Sequence, residues 1–271
     1  MTVTHAELSA EVAANPVWYH TLDLGAGVVT PGWFDLRPIA ARLPWPDLKD
    51  KRCLDVGTYD GFFAFEMERR GAGEVLAMDI GDHRHWDWPP DVRGVGGEQL
   101  ARWAGEKGAG FEIAAKALGS QVRKLEASVY DLASRDVGTF DFIFCGSLLL
   151  HLRDPMRALE AMRSVCRGQF LSAEQVDLWL TFVARGFSVA RLNGMGPLCQ
   201  WWVPSVQGHR RMVRAAGFAI EAETGPYVVP FGVSHPAPSR DVRTAALRLG
   251  RRITAGGWGV PHAAVLARRV V

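Results

Sequence analysis

No stretch of this 271-residue chain is apolar for the ~18–20 residues that a membrane-spanning helix requires. The opening MTVTHAELSAEVAANP has no basic start followed by an apolar core, which argues against a secretory leader. A soluble cytoplasmic protein with no membrane partner is therefore the expectation. Cysteine is scarce: Cys53, Cys145, Cys166 and Cys199 form no C-x-x-C pair, so neither a disulfide scaffold nor a zinc knuckle is indicated. Reduced, buried thiols are expected. Internal repeats and low-complexity tracts are missing as well. Lysine is absent from residues 185–271, although this third holds 12 arginines against 3 acids, a net of +9. The rest of the chain is at −7, so the overall +2 hides a basic C-terminal third that could meet an anionic partner.

What is present is a globular composition, 48% hydrophobic, with ten tryptophans. Thr4 and Glu7 have capping-box spacing and predict a helix over about 5–14, ended by Asn15-Pro16. WYHTLDLGAGVVTPGWFDLRP has no clean period and reads as an ordered loop. From Arg52 onward, strand-like runs (RCLDVG, EVLAMDI, KLEASVYDL, FDFIFCGSLLL, GQFLSAEQV) alternate with helical ones (GFFAFEMERRGA, PMRALEAMRSVC), which predicts a doubly wound parallel sheet. PSVQGHRRMVRAAGF reads as a late helix. FAIEAET and AAVLARRV then read as strands that add an antiparallel pair. The expected division is an N-terminal helix and lid over 1–50, followed by an α/β domain over 51–271 with cap insertions at about 176–203 and 226–260.

The strongest constellation is LDVGTYDGFF. A buried strand ends in Asp55, Gly57 and Gly61 shape a turn around Tyr59, and a helix follows. Asp79 ends the next strand, where an acid can accept from both hydroxyls of a ribose. Tyr59 stands where a dinucleotide fingerprint has its middle glycine, so no pyrophosphate cradle is formed. An acid before a glycine turn suits a cationic ligand, and S-adenosylmethionine (SAM) has an amine, a ribose and an adenine but no phosphate. Tyr130-Asp131 follows the third strand, where Asp131 could take the adenine amino group while Tyr130 flanks the ring.

These segments, with GSLLLHLRDPMRALE, WWVPSVQGHRRMVRAAGF and PHAAVLARR, resemble class I SAM-dependent methyltransferases. The fuller resemblance is to the subfamily related to the tRNA wobble-uridine (carboxy)methyltransferases. It implies a Rossmann-like fold, SAM as cofactor, and an aromatic at Trp33 packed near it. Gly146, within the fourth strand run, is placed in the same cofactor set. Tyrosine, lysine and arginine positions that hold a carboxylated SAM in the tRNA enzymes fall at Leu150, His20 and about His262-Ala263 here. Ordinary SAM is therefore expected.

A hydroxyl or amine acceptor gains from a base, and His151 and His20 are the catalytic candidates. Trp18, Tyr19, Trp179, Trp201, Trp202 and His209 are candidate acceptor-binding residues, His235 stands in the same insertions, and Trp86 or Trp88 could cover the adenosine. HRHWDWPPD lacks the usual ligand pattern, so no metal is assigned. Arg240, Arg243, Arg248, Arg251 and Arg252 recur at near-helical spacing. The expected partner is a small-molecule acceptor, methylated at oxygen as in secondary metabolism. A nucleic acid is the alternative, a non-catalytic SAM-binding protein another, and a homodimer is compatible with the sequence.

Overall fold

The computed structural model describes residues 4–192, 199–236 and 258–270. Its centre is an eight-stranded sheet of order β3-β2-β1-β4-β5-β10-β8, with β9 also paired to β10. The strands are β1 (Arg52–Val56), β2 (Glu74–Asp79), β3 (Arg123–Glu126), β4 (Phe140–Gly146), β5 (Cys166–Gln175), β8 (Phe218–Glu223), β9 (Tyr227–Pro230) and β10 (Gly259–Arg269). β1 to β5 run parallel, whereas β10 runs antiparallel to β5, β8 and β9. The Rossmann-like, mostly parallel sheet with an antiparallel final strand is thus the observed architecture. Order reverses between β1 and β4, and the crevice at their carboxyl ends is where ligands of such sheets bind.

One face of the sheet is covered by α1 (His5–Ala14), α3 (Phe62–Arg69) and α5 (Ala109–Leu118). α6 (Pro155–Val165) and α8 (Val206–Ala215) cover the other. Local chemistry sets the helix starts. α1 carries the Thr4–Glu7 capping box, Asp154 caps α6 ahead of Pro155, and Ser205 caps α8. The N-terminal segment shares the main core: Leu8, Val12, Trp18, Leu22 and Leu43 pack in one cluster with Phe142, Leu171 and Ala264. Residues 18–36 form a strap whose two limbs bond to each other (Trp33 N to Trp18 O, 2.9 Å) and to the end of β9 (Asp35 N to Pro230 O, 3.0 Å).

Three expectations differ from the observed elements. The third strand stops at Glu126, because Ser128 caps a 3-10 turn over Val129–Ser134. The fourth stops at Gly146, and Leu149–His151 form another 3-10 turn. Residues 227–230, expected within an insertion, are β9 and extend the sheet. Helices α2 (Arg37–Ala40), α4 (Val95–Ala104) and α7 (Leu178–Val183), and the hairpin of β6 (Ala190–Leu192) and β7 (Trp202–Pro204), complete the described elements. The arginine run at 240–252 lies outside the described residues. Among those described, no helix is long and apolar enough to cross a membrane.

Candidate active site

The glycine turn between β1 and α3 is laid against the end of β2, with the Gly57 and Thr58 amides donating to the Met78 carbonyl. Gly57 (φ 81°) and Gly61 (φ 88°) occupy the left-handed region that favours glycine. A Cβ on Gly61 would come within 2.8 Å of the Phe65 and Phe111 rings, so glycine is needed there for helix packing also. Asp55 is buried beneath the turn, where the Ala64 amide of the uncapped α3 start serves as a donor. Its position makes it a brace for the helix rather than an exposed ligand. Burial pushes its carboxyl up to about 7.

Asp79 is the centre of the crevice. Its Oδ2 accepts from the Tyr59 amide (2.8 Å) and its Oδ1 from the Ile80 amide (2.8 Å). Lys107, from the loop between α4 and α5, places Nζ 2.6 Å from Oδ2, with its side chain only 3% exposed. The same ammonium lies 4.7 Å from the centre of the Tyr59 ring. Asp60 does a different job. One oxygen, Oδ2, accepts from the backbone amides of Tyr19 (2.6 Å) and His20 (2.9 Å) and so fastens the N-terminal strap to the glycine turn. Burial pushes Asp60 up to about 7, although the two amides pull it down.

The strap brings a chain of rings over the turn: Tyr19 to Tyr59 (4.9 Å), Tyr19 to Trp33 (5.9 Å) and Trp33 to Trp103 (4.5 Å). His20 is buried, and among the described residues its Nδ1 has no hydrogen-bond partner. Burial lowers His20 to about 3, so it is a neutral imidazole held in the crevice. His151 sits on the 3-10 turn after β4. A carbonyl can only accept, so its Nδ1 donates to the Cys199 carbonyl (3.0 Å), and its ring lies 5.6 Å from Trp86. Gly146 ends β4 with the Phe144 ring 2.8 Å from where a Cβ would stand.

Several predicted ligand-facing residues have other work. Trp18 is buried and donates to the Val12 carbonyl (3.0 Å), locking α1 to the strap. Tyr130 donates to Asp87, accepts from the Asp154 amide (3.1 Å), and joins the β2 loop to α6; Asp131 is exposed. Trp86 stacks on buried Trp88 (5.8 Å, 18°). Trp201 and Trp202 donate to the Asp87 and Arg153 carbonyls. Trp179 is 71% exposed on α7. His209 is fully buried on α8, 2.8 Å from Ser172 Oγ of β5. His235 lies against the Phe231 ring (3.8 Å) beside the strap.

Sequence reasoning missed Asp60, Lys107, Glu174, Ser147 and His262. Glu174 is an acid inside an apolar strand, which was a legible oddity. It accepts from Cys145 Sγ (3.4 Å) and the Leu149 amide (3.1 Å), and burial pushes it up to about 8. No local pattern marks Asp60 or Lys107, whose partners lie tens of residues away.

The fold and the crevice together define a Rossmann-like α/β protein of the methyltransferase type. Residues 35–223 match the methyltransferase-domain family, and the chain belongs to it. The ubiquinone biosynthesis O-methyltransferase of Acinetobacter baylyi is 29% identical over 131 residues, covering 46% of this chain and 45% of that protein. The chain thus spans about half the length of this curated relative. Among solved structures, it is similar to the N-terminal domain of EvdMO1, determined in the presence of S-adenosylhomocysteine (SAH) and D-fucose. That likeness has TM-score 0.57 and 15% identity, covering 98% of this chain and 97% of that one. It is also similar to the [4+2]-cyclase SpnF (TM-score 0.52, 18% identity, 98% and 93% covered). At these identities the likeness is one of fold, and the cyclase illustrates that the fold alone does not fix the chemistry.

Proposed function

We propose that this chain transfers a methyl group from SAM to a hydroxyl oxygen of a small-molecule acceptor, in specialised metabolism rather than on tRNA. The observation that carries the reading is the Asp79 carboxylate, set by two backbone amides at the end of β2 beside the Gly57 turn. The donor set fits SAM. Asp79 stands beside the Gly57 turn, and among the described residues the buried Nδ1 of His20 lacks a polar partner.

In this reading Asp79 holds the ribose hydroxyls, while Gly57 lets the backbone approach the ligand closely. Tyr19 and Trp33 of the strap cover the site. Asp60 keeps the strap shut and water out, which strengthens each polar contact inside. Bound there, the sulfonium of SAM supplies a methyl carbon already activated for displacement. What remains for the chain is alignment and removal of the acceptor's proton. Oxygen as the acceptor atom is supported by the curated relative, itself named an O-methyltransferase. A tRNA substrate draws less support. Three described arginines of the basic third already pair with acids: Arg191 with Asp177, Arg210 with Glu223, and Arg268 with Glu221.

Titration calorimetry with SAH, followed by transfer from methyl-labelled SAM to hydroxyl and amine acceptors, tests the proposal. Saturable SAH binding with methyl transfer to oxygen is expected. Absence of SAH binding would end the reading. Binding without transfer to any acceptor would favour a non-methylating protein.

A further inference from the structure

The carboxyl ends of β4 and β5 and the amino end of β10 meet in a corner beside the glycine turn, and the polar groups there take no part in the Asp79 network. Ser147 follows β4 with φ 51°, a conformation that side-chain-bearing residues seldom adopt. Its amide is tied to the Ala173 carbonyl (3.0 Å), and the next residue, Leu148, lies 3.2 Å from where a Cβ on Gly57 would stand. Ser147 therefore sits at the switch between β1 and β4, where ligands of such sheets bind. Its Oγ is 2.7 Å from Nε2 of His262, on β10.

The orientation of His262 follows from its second contact. Nδ1 lies 3.0 Å from the Val260 carbonyl, which can only accept, so Nδ1 carries the proton. Nε2 then presents its lone pair, and the Ser147 hydroxyl donates to it. Among the described residues, the groups facing His262 add no fixed charge. Tyr227 of β9 stacks on it (6.1 Å), Glu174 of β5 is pushed up to about 8 by burial, and His209 of α8 is held neutral by burial. Burial lowers His262 itself to about 4, so the neutral form prevails near pH 7. Leu149, Leu150, Glu174 and Trp202 line a small cavity of about 10 Å³ near this corner, room for a single water. A histidine held in one tautomer by a carbonyl and bonded to a hydroxyl is the arrangement that makes a hydroxyl a proton acceptor.

We propose that Ser147 and His262 form the proton relay for the acceptor: Ser147 Oγ takes the proton of an acceptor hydroxyl while its own proton passes to His262 Nε2. The inference rests on the methyltransferase reading above and deepens it. The acceptor's O–H bond breaks and its electron pair stays on oxygen, which becomes the nucleophile. One proton leaves the acceptor, one arrives on His262, and Ser147 ends as it began. The imidazolium keeps its Nδ1–H on the Val260 carbonyl. Ser147 is the catalytic residue, and His262 is a positioning residue that acts through it. The acceptor class follows: a molecule whose hydroxyl is un-ionised near pH 7, so that its proton must be removed for transfer.

The test compares wild type, Ser147→Ala and His262→Gln in the full chain. Histidine ring 15N spectra should show His262 neutral and protonated at Nδ1 between about pH 6 and about pH 8, with its Nε2 resonance displaced in Ser147→Ala. Transfer from methyl-labelled SAM is then measured to D-fucose, catechol and 4-nitrocatechol, with SAH affinity measured alongside. Both variants should hold SAH affinity and lose about 10²–10⁴-fold in kcat on D-fucose and catechol. On 4-nitrocatechol, which ionises without help near neutrality, the loss should be about 10-fold or less. Equal losses on all three acceptors, no loss, or a His262 protonated at Nε2 would overturn the relay. So would SAH binding with no transfer to any of the three, which leaves the cofactor reading standing. Failure of wild type to bind SAH would overturn the methyltransferase reading beneath it.

Discussion

Among the described residues, the two halves of the crevice differ in whether an acid meets an ammonium. Around the glycine turn, Asp60 and Asp79 are held by backbone amides, and Lys107 sits against Asp79. At the β4–β5–β10 corner, the acid is pushed up toward its neutral form and the histidines down toward theirs. The first half holds the ion pair of Asp79 with Lys107 beside Asp55 and Asp60, whose carboxyls burial pushes up to about 7. The other keeps its acid and histidines near neutral, which suits a proton in transit. In the proposed reading, the ion-paired half takes the cofactor and the other half the acceptor.

The sharpest way to break this contrast is to cut the strap from the ion-paired half. Asp60→Ala removes both amide contacts of the strap and leaves the half-buried Tyr19 and buried His20 N–H groups without acceptors. A loss of about 2–4 kcal/mol is expected, read as a fall of roughly 6–12 °C in Tm, with weaker SAH binding as the strap loosens. An unchanged Tm would show that the strap is held by its aromatic packing alone.

The neutral half is probed by pH. Burial raises folded Glu174 from an ordinary 4.5 to about 8. Between these values the folded chain keeps a proton that the unfolded chain has lost. The stability this confers is complete below the unfolded value and drains away as pH rises through about 8. Glu174→Gln removes that titration. The Tm of the variant minus that of wild type should therefore climb by about 7–14 °C from about pH 5 to about pH 8. The lowered histidines contribute with the opposite sign, losing stability as pH falls below the usual histidine value, but they cancel in the difference. A flat difference would mean that Glu174 is ionised in the folded protein.

A smaller effect is expected at Lys107. Its ammonium and the Tyr59 amide both take Asp79 Oδ2, so a ribose must displace or share that position. Lys107→Met should tighten SAH binding by about 3–10-fold on calorimetry, since the competing partner is gone. Weaker binding would make Lys107 a ligand instead. The smallest effect belongs outside both halves. Trp179 is 71% exposed, and Trp179→Ser should shift Tm by about 1 °C or less. A larger drop would place the indole against a surface it does not touch in the described residues.

The legible part of the molecule is the part governed by short-range rules. Strand runs punctuated by Asp55–Gly57 and Asp79 made the β1–β2 half readable, and the Thr4–Glu7 capping box formed as its spacing predicts. The illegible part is made of long-range pairs. Asp60 finds its partners 40 and 41 residues away, and Ser147 meets His262 across 115. The tryptophans misled for a related reason. Trp18, Trp201 and Trp202 each direct the indole N–H to a backbone carbonyl, so their use is structural pinning, which composition cannot distinguish from a ligand wall. The third strand ended early because Ser128 offers a cap that competes with the ladder.

The most direct measurement is a calorimetric titration of SAH into wild type and Asp79→Asn at one pH near neutrality. The carboxylate that anchors the ion-paired half should give saturable binding in wild type and an affinity about 10-fold or more lower in the variant, because charge-assisted bonds to the ribose are replaced by weaker ones. Equal affinity in the two proteins, or no binding in wild type, would contradict the account.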